Sequence, residues 1–109
     1  MEHLLDTKKR IVQIAYDNRL SHLGSYFSCL PVVDEIYSNK NKEDIFILSC
    51  GHAALALYAV LEKYENADAS KLFKKHGGHP HRNVKDGIHC STGSLGMGLP
   101  FAVGKALAN

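Results

Sequence analysis

Three histidines stand in glycine-bearing turns: Ser21-His22-Leu23-Gly24, Gly51-His52-Ala53 and Gly78-His79-Pro80. An imidazole can donate, accept or carry a proton near neutral pH, and a neighbouring glycine lets backbone approach a ligand closely. Three such turns can bring imidazoles to one phosphate or one polar substrate. The plainer alternative is three loop histidines satisfied by water or backbone. A second candidate is Ser91-Thr92-Gly93-Ser94-Leu95-Gly96-Met97-Gly98, directly before an expected helix. Small residues leave backbone N–H groups free to face an anion, and a helix N-terminus adds partial positive charge. No Lys-Ser/Thr pair follows these glycines, so the stretch is not a P-loop, and Phe101 stands where GxGxxG needs its third glycine. His76, His79, His81, His89 and Cys90 are zinc-ligand types, but their spacing is irregular and lies in loops. We expect no metal held by these side chains. Cys50 and His52 sit on one tight turn, where thiol and imidazole seldom aim at each other.

The elements that must position these residues follow from hydrophobic spacing. Residues 6–18 predict a helix with Leu4, Ile11, Ile14 and Ala15 on one face. Residues 20–25 read as a loop, and Pro31 suits the first turn of a short helix through Tyr37. Asn39-Lys40-Asn41-Lys42 is a polar turn. Ile45-Phe46-Ile47-Leu48 reads as a strand covered on both faces. A tight turn, Ser49-Cys50-Gly51-His52, leads into a helix over 53–64 that is apolar nearly all round and so expected to be buried. Asp68 is placed to cap a short helix through Lys75. Residues 76–90 read as loop, with a short extended piece at 88–91. A last helix runs over about 98–108, with Leu95, Leu99, Ala102, Val103 and Ala106 along one side and Pro100 tolerated in its first turn. We expect one α/β domain spanning residues 1–109, mostly helical with few parallel strands, and partial because a complete parallel sheet needs more of them.

Composition narrows the classes. The 109 residues are 45% hydrophobic and 22% charged, as in globular domains and unlike disordered chains. A net charge of +2 gives no field strong enough to suggest nucleic acid. The apolar run from Ala53 to Leu61 is far shorter than the ~20 residues of a membrane span, and the N-terminus lacks a signal-peptide pattern. Three widely spaced cysteines with no CxxC pair argue for a reducing compartment, so a cytoplasmic location is expected.

Taken in order, His22-Leu23-Gly24-Ser25, Ile47-Leu48-Ser49-Cys50-Gly51-His52-Ala53-Ala54, Gly78-His79-Pro80 and Ser91 through Gly98 resemble the N-terminal part of the transketolase family. The resemblance runs from about Arg10 to Asn109 and points to that family's thiamine-diphosphate-binding (PP) domain. It implies that His52 lies by the cofactor diphosphate and the donor substrate. It implies that His22 and His79 face the sugar hydroxyls and the reacting carbon, making His22, His52 and His79 the catalytic candidates. It also implies that Gly93, Leu95 and Gly96 run along the cofactor through their backbone, beside His52. Thiamine diphosphate with Mg²⁺ supplies the electron sink while a two-carbon unit passes between sugars.

Departures from the family pattern shape the expected function. Met97 stands where the family usually has Gln, Ser21 where it has Gly, and Cys50 where Lys or Asn is common. The connections before Ile45 and Gly78 are several residues shorter than usual. The 109 residues contain no GDG turn, whose Asp binds Mg²⁺ in the family, and no later pyrimidine domain with its activating Glu. We therefore expect the N-terminal segment or subunit of a split transketolase-like enzyme, inactive without a completing chain that carries the GDG motif and the pyrimidine domain. An exposed apolar face and oligomerisation go with that expectation. Two alternatives stay open: a non-catalytic module that docks on a thiamine enzyme or weakly binds cofactor or sugar phosphate, and a small scaffold that only oligomerises. Chemistry like that of 1-deoxyxylulose-5-phosphate synthase is open as well.

Overall fold

The computed structural model describes residues 4–20, 23–49, 53–78, 80, 82–89 and 98–108. Five helices account for most of them: α1 (Leu5–Asp17), α2 (Leu23–Asn39), α3 (Ala54–Glu65), α4 (Ala69–His76) and α5 (Gly98–Ala108), with a short 3-10 turn at Val84–Asp86. The helix α1 buries Ile11, Ile14 and Ala15 as its spacing predicts, while Tyr16 on the opposite side is 81% exposed. Its end is set by Asn18, whose Nδ2 donates to the Ile14 carbonyl at 2.8 Å, and by left-handed Arg19 at φ 54°.

The second helix differs from expectation. Residues 23–25 of the expected loop and the short helix expected from Pro31 belong to one helix of 17 residues, Leu23–Asn39, which carries Pro31 inside it. Leu20 is non-helical as expected, and residues 21 and 22 lie outside the described residues. A proline there forfeits one backbone hydrogen bond and costs roughly 3 kcal/mol. Tyr26, Leu30, Val33 and Tyr37 all lie on the buried side, before and after the proline. That stripe spans both halves, so burying it offsets the lost bond.

Two short motifs set α3 and α4. Left-handed Asn66 (φ 58°) ends α3, and its N–H donates to the Leu61 carbonyl. The Asp68 side chain caps α4 by accepting from the Lys71 N–H at 3.2 Å. The centre of the fold is α3: every residue from Ala54 to Leu61 is buried, so its large side chains each contribute roughly 1.5–3 kcal/mol. It packs most extensively on α2, then on α4 and α1.

The expected strand over 45–48 does not form among the described residues. Ile45-Phe46-Ile47-Leu48 has no ladder partner there, and the one pairing described is an isolated antiparallel bridge between Asn83 and Ile88. An apolar β-branched run becomes a strand only when a second strand supplies the hydrogen bonds. The described chain is thus helical; Leu48 joins its core, and Phe46 packs partly buried against that core, edge-on to Tyr37 of α2. The last helix is apolar yet open: Leu99 is 69% exposed and Leu107 82%. No helix among the described residues is long and apolar enough to cross a membrane.

Candidate functional site

The six residues assigned by resemblance, His22, His52, His79, Gly93, Leu95 and Gly96, lie outside the described residues. The residues beside them are described, and two of the four motifs meet there. A Cβ placed on Gly98 would lie 2.6 Å from the Cα of Ser49 and 2.8 Å from its Oγ. Only glycine fits where backbone meets backbone this closely. The end of the Ser91–Gly98 stretch therefore rests on the start of the Ser49–His52 turn. Gly98 is the buried residue of α5 and opens it.

The third motif is tied to the helix that follows the second. The Tyr58 hydroxyl, on α3, donates to the Gly77 carbonyl at 2.7 Å. Tyr58 is fully buried, and burial pushes its phenol well above the ordinary tyrosine range, so it stays a neutral donor. One residue before, Nε2 of His76 lies 2.7 Å from Oδ2 of Asp86 and donates to it when it carries the proton. Lys75 Nζ donates to the same oxygen at 2.8 Å. The hydrogen bonds from Lys75 and then His76 hold the Asp86 carboxyl below the usual aspartate range. Asn83 accepts the Asp86 N–H through its side chain and pairs with Ile88 through its backbone. Pro80, which follows His79, is buried. For the first motif, the described neighbours Leu20 and Leu23 are partly buried against the core.

His89, just ahead of the Cys90–Met97 stretch, is partly buried. Burial, then the charges of Arg82, Lys105 and Lys40, hold its imidazole below the ordinary histidine value, so it is neutral at pH 7. A groove of about 430 Å³ lies beside it, lined by Tyr37, Phe46, Lys40, Lys42 and Lys85 together with Glu43, Asp44, Glu65 and Asp86. Cations and carboxylates are mixed along its wall, which gives it no single charge preference. Among the described residues, no three His, Cys, Asp or Glu side chains gather as a metal site.

The sequence profile described as "Transketolase, thiamine diphosphate binding domain" matches residues 26–109. The chain belongs to the transketolase family. Among curated relatives, it is 34% identical to an apulose-4-phosphate transketolase subunit of Phocaeicola vulgatus, over 93% of this chain and 41% of that protein. It is 37% identical to transketolase-1, chloroplastic, of Arabidopsis thaliana over 80% of this chain, and 42% identical to the transketolase of Rhodobacter capsulatus over 60%. The chain spans 41% of the first of these proteins, 14% of the second and 11% of the third. No solved structure matches it. The matched segment of this transketolase-family chain begins inside α2, so α1 precedes it.

Sequence reasoning missed the supports in this transketolase-family segment. Tyr58, His76 and Asp86 carry no local pattern, because their partners lie 10 or 19 residues away. Gly98 was visible only as the last of several glycines, and its special place depends on Ser49, far off in sequence.

Proposed function

We propose that this chain is the N-terminal segment or subunit of a split transketolase-like thiamine-diphosphate enzyme, moving a two-carbon ketol unit between sugar phosphates once a completing chain joins it. The observation that carries this reading is Gly98 against Ser49, which joins the ends of the two turns that the family assigns to the cofactor. A relative that is itself named as one subunit of a transketolase, similar over 93% of this chain, supports the two-chain arrangement.

The residues fit the cofactor in kind. A glycine approach that a Cβ would fill, opening an 11-residue helix with no acidic residue in its first turn, suits a diphosphate better than a bulky or cationic group. When bound, thiamine diphosphate supplies the electron sink for cleaving the ketose. In this reading His52 contacts the diphosphate and the donor. His22 and His79 hold sugar hydroxyls and move a proton at the reacting carbon. Backbone of Gly93, Leu95 and Gly96 lines the cofactor. Mg²⁺ ligands, the activating Glu and the strands that would pair with Ile45–Leu48 into an α/β sheet come from the completing chain. Assembly as an oligomer and a cytoplasmic setting belong to the same proposal. Met97 in place of the family's Gln favours a second reading, a module that binds without turnover.

Calorimetric titration with thiamine diphosphate and Mg²⁺ separates these. The chain alone should bind nothing, and a mixture with a chain carrying GDG and the pyrimidine domain should bind in a Mg²⁺-dependent way and transfer ketol units. Gly98→Ala should weaken that binding more than about tenfold while α1 to α4 melt unchanged. Binding without turnover in the mixture would favour the module. No binding in any folded mixture would sink both.

A further inference from the structure

Residues 77–86 form a connection that open chain statistics would leave loose. It carries two successive glycines at its start, with Gly77 at φ +70° and open space around both Cβ positions. Nothing in the glycines themselves fixes the turn. The fixing is done at its base. His76 closes α4 and Asp86 ends the 3-10 turn, and their side chains meet at 2.7 Å. The His76 side chain is only 7% exposed and its ring lies tilted over Tyr58 at 6.5 Å, so the imidazole has one place to be. Tyr58 holds the next carbonyl, and the Asn83–Ile88 bridge closes the far side. A buried imidazole tied to a carboxylate is a costly way to end a helix that a leucine would end more cheaply. Its return is geometric, because it fixes the separation of the two ends of the connection.

We propose that the His76–Asp86 pair is a positioning device that sets the Gly77-Gly78 bend, from which the chain leads on to His79, for the donor sugar. Neither side chain touches substrate in this proposal; both act through the turn. The inference rests on the ketol-transfer reading above. Lys75 provides an internal control, since it bonds the same carboxylate oxygen but its side chain is 58% exposed where that of His76 is 7%.

The test uses the mixture of this chain with its completing chain, assayed for ketol transfer from a ketose phosphate to an aldose phosphate. His76→Ala and Asp86→Ala should each lower kcat by about 100-fold, the loss expected when a catalytic group shifts by about 1 Å. His76→Gln, which keeps a donor near the place of Nε2, should recover most of it, and Lys75→Ala should stay within about twofold of wild type. All four should keep the wild-type helical signal and bind the completing chain equally. If the wild-type mixture is active and both alanine variants retain wild-type kcat, the positioning role is overturned and the ketol-transfer reading stands. The positioning role also falls if Lys75→Ala loses as much as Asp86→Ala, because the carboxylate's charge balance would then be what counts. A wild-type mixture without activity would overturn the ketol-transfer reading itself, and this inference with it.

Discussion

Two aspartates in this chain hold the same kind of cluster in different places. Asp34 sits between α2 and α3 with its side chain 4% exposed, accepting from Lys63 Nζ at 2.8 Å and from the Tyr64 hydroxyl at 3.1 Å. Asp86 sits at the edge of the fold, 24% exposed, with Lys75 and His76 on one oxygen. The chemistry is similar, and the surroundings differ. At Asp34 burial draws the Lys63 ammonium down, yet the hydrogen bonds with Asp34 and Tyr64 outweigh it, and the net shift is upward. A charge pair kept charged in a packed interface locks two helices, because the Asp34 carboxylate would be stranded without its partner. A pair at the rim adds little to stability but sets where a connection begins and ends.

The comparison breaks first at Asp34. Asp34→Ala should cost about 2–3 kcal/mol in urea unfolding, below the full buried-pair penalty because the Lys63 head is partly exposed and can turn to water. A loss under about 1 kcal/mol would erase the distinction between core and rim. Next comes Tyr58→Phe, which removes the hydroxyl bond to Gly77 and should cost about 1 kcal/mol by the same measurement. Smallest is Asp86→Ala, which should change unfolding stability by less than about 1 kcal/mol at pH 7. Its contribution also has a defined pH window. Because the folded carboxyl is depressed, the stabilisation is fully present above the unfolded aspartate value of about 3.9 and is lost as pH falls through the lower folded value. The stability curves of wild type and Asp86→Ala should therefore run parallel above about pH 5 and converge below about pH 4. Curves that stay parallel into acid would mean the carboxyl is not held down by its partners.

How far the fold could be read ahead of the structure depended on whether the signal was local. The stripe of α1, the all-round burial of α3 and the Asp68 cap of α4 are written within one or two turns of chain, and all three are present. The helix α2 was misread because Pro31 is a strong local signal while the stripe Tyr26–Tyr37 that overrides it is spread over three turns. Ile45–Leu48 has strand composition, but a strand is a relation between two segments, and only one is described. For the site, the motif turns were legible as motifs, whereas the contacts that hold them, Gly98 on Ser49 and His76 on Asp86, join residues that no short window contains.

Arg10 extends the reach of α1 beyond its own stretch of chain. Its Nε donates to both carboxylate oxygens of Glu62 on α3, and its Nη2 to Asp68 at the cap of α4. Glu62 in turn accepts the backbone N–H of Ala69, the first residue of α4. A helix ahead of the family-matched segment thus acts as a tie rod, fastening the start of the helix whose other end is His76. Trimming the chain to its matched residues would do more than shorten it: the seat of α4 would slacken, and its far end would lose the footing on which the Gly77-Gly78 bend is built.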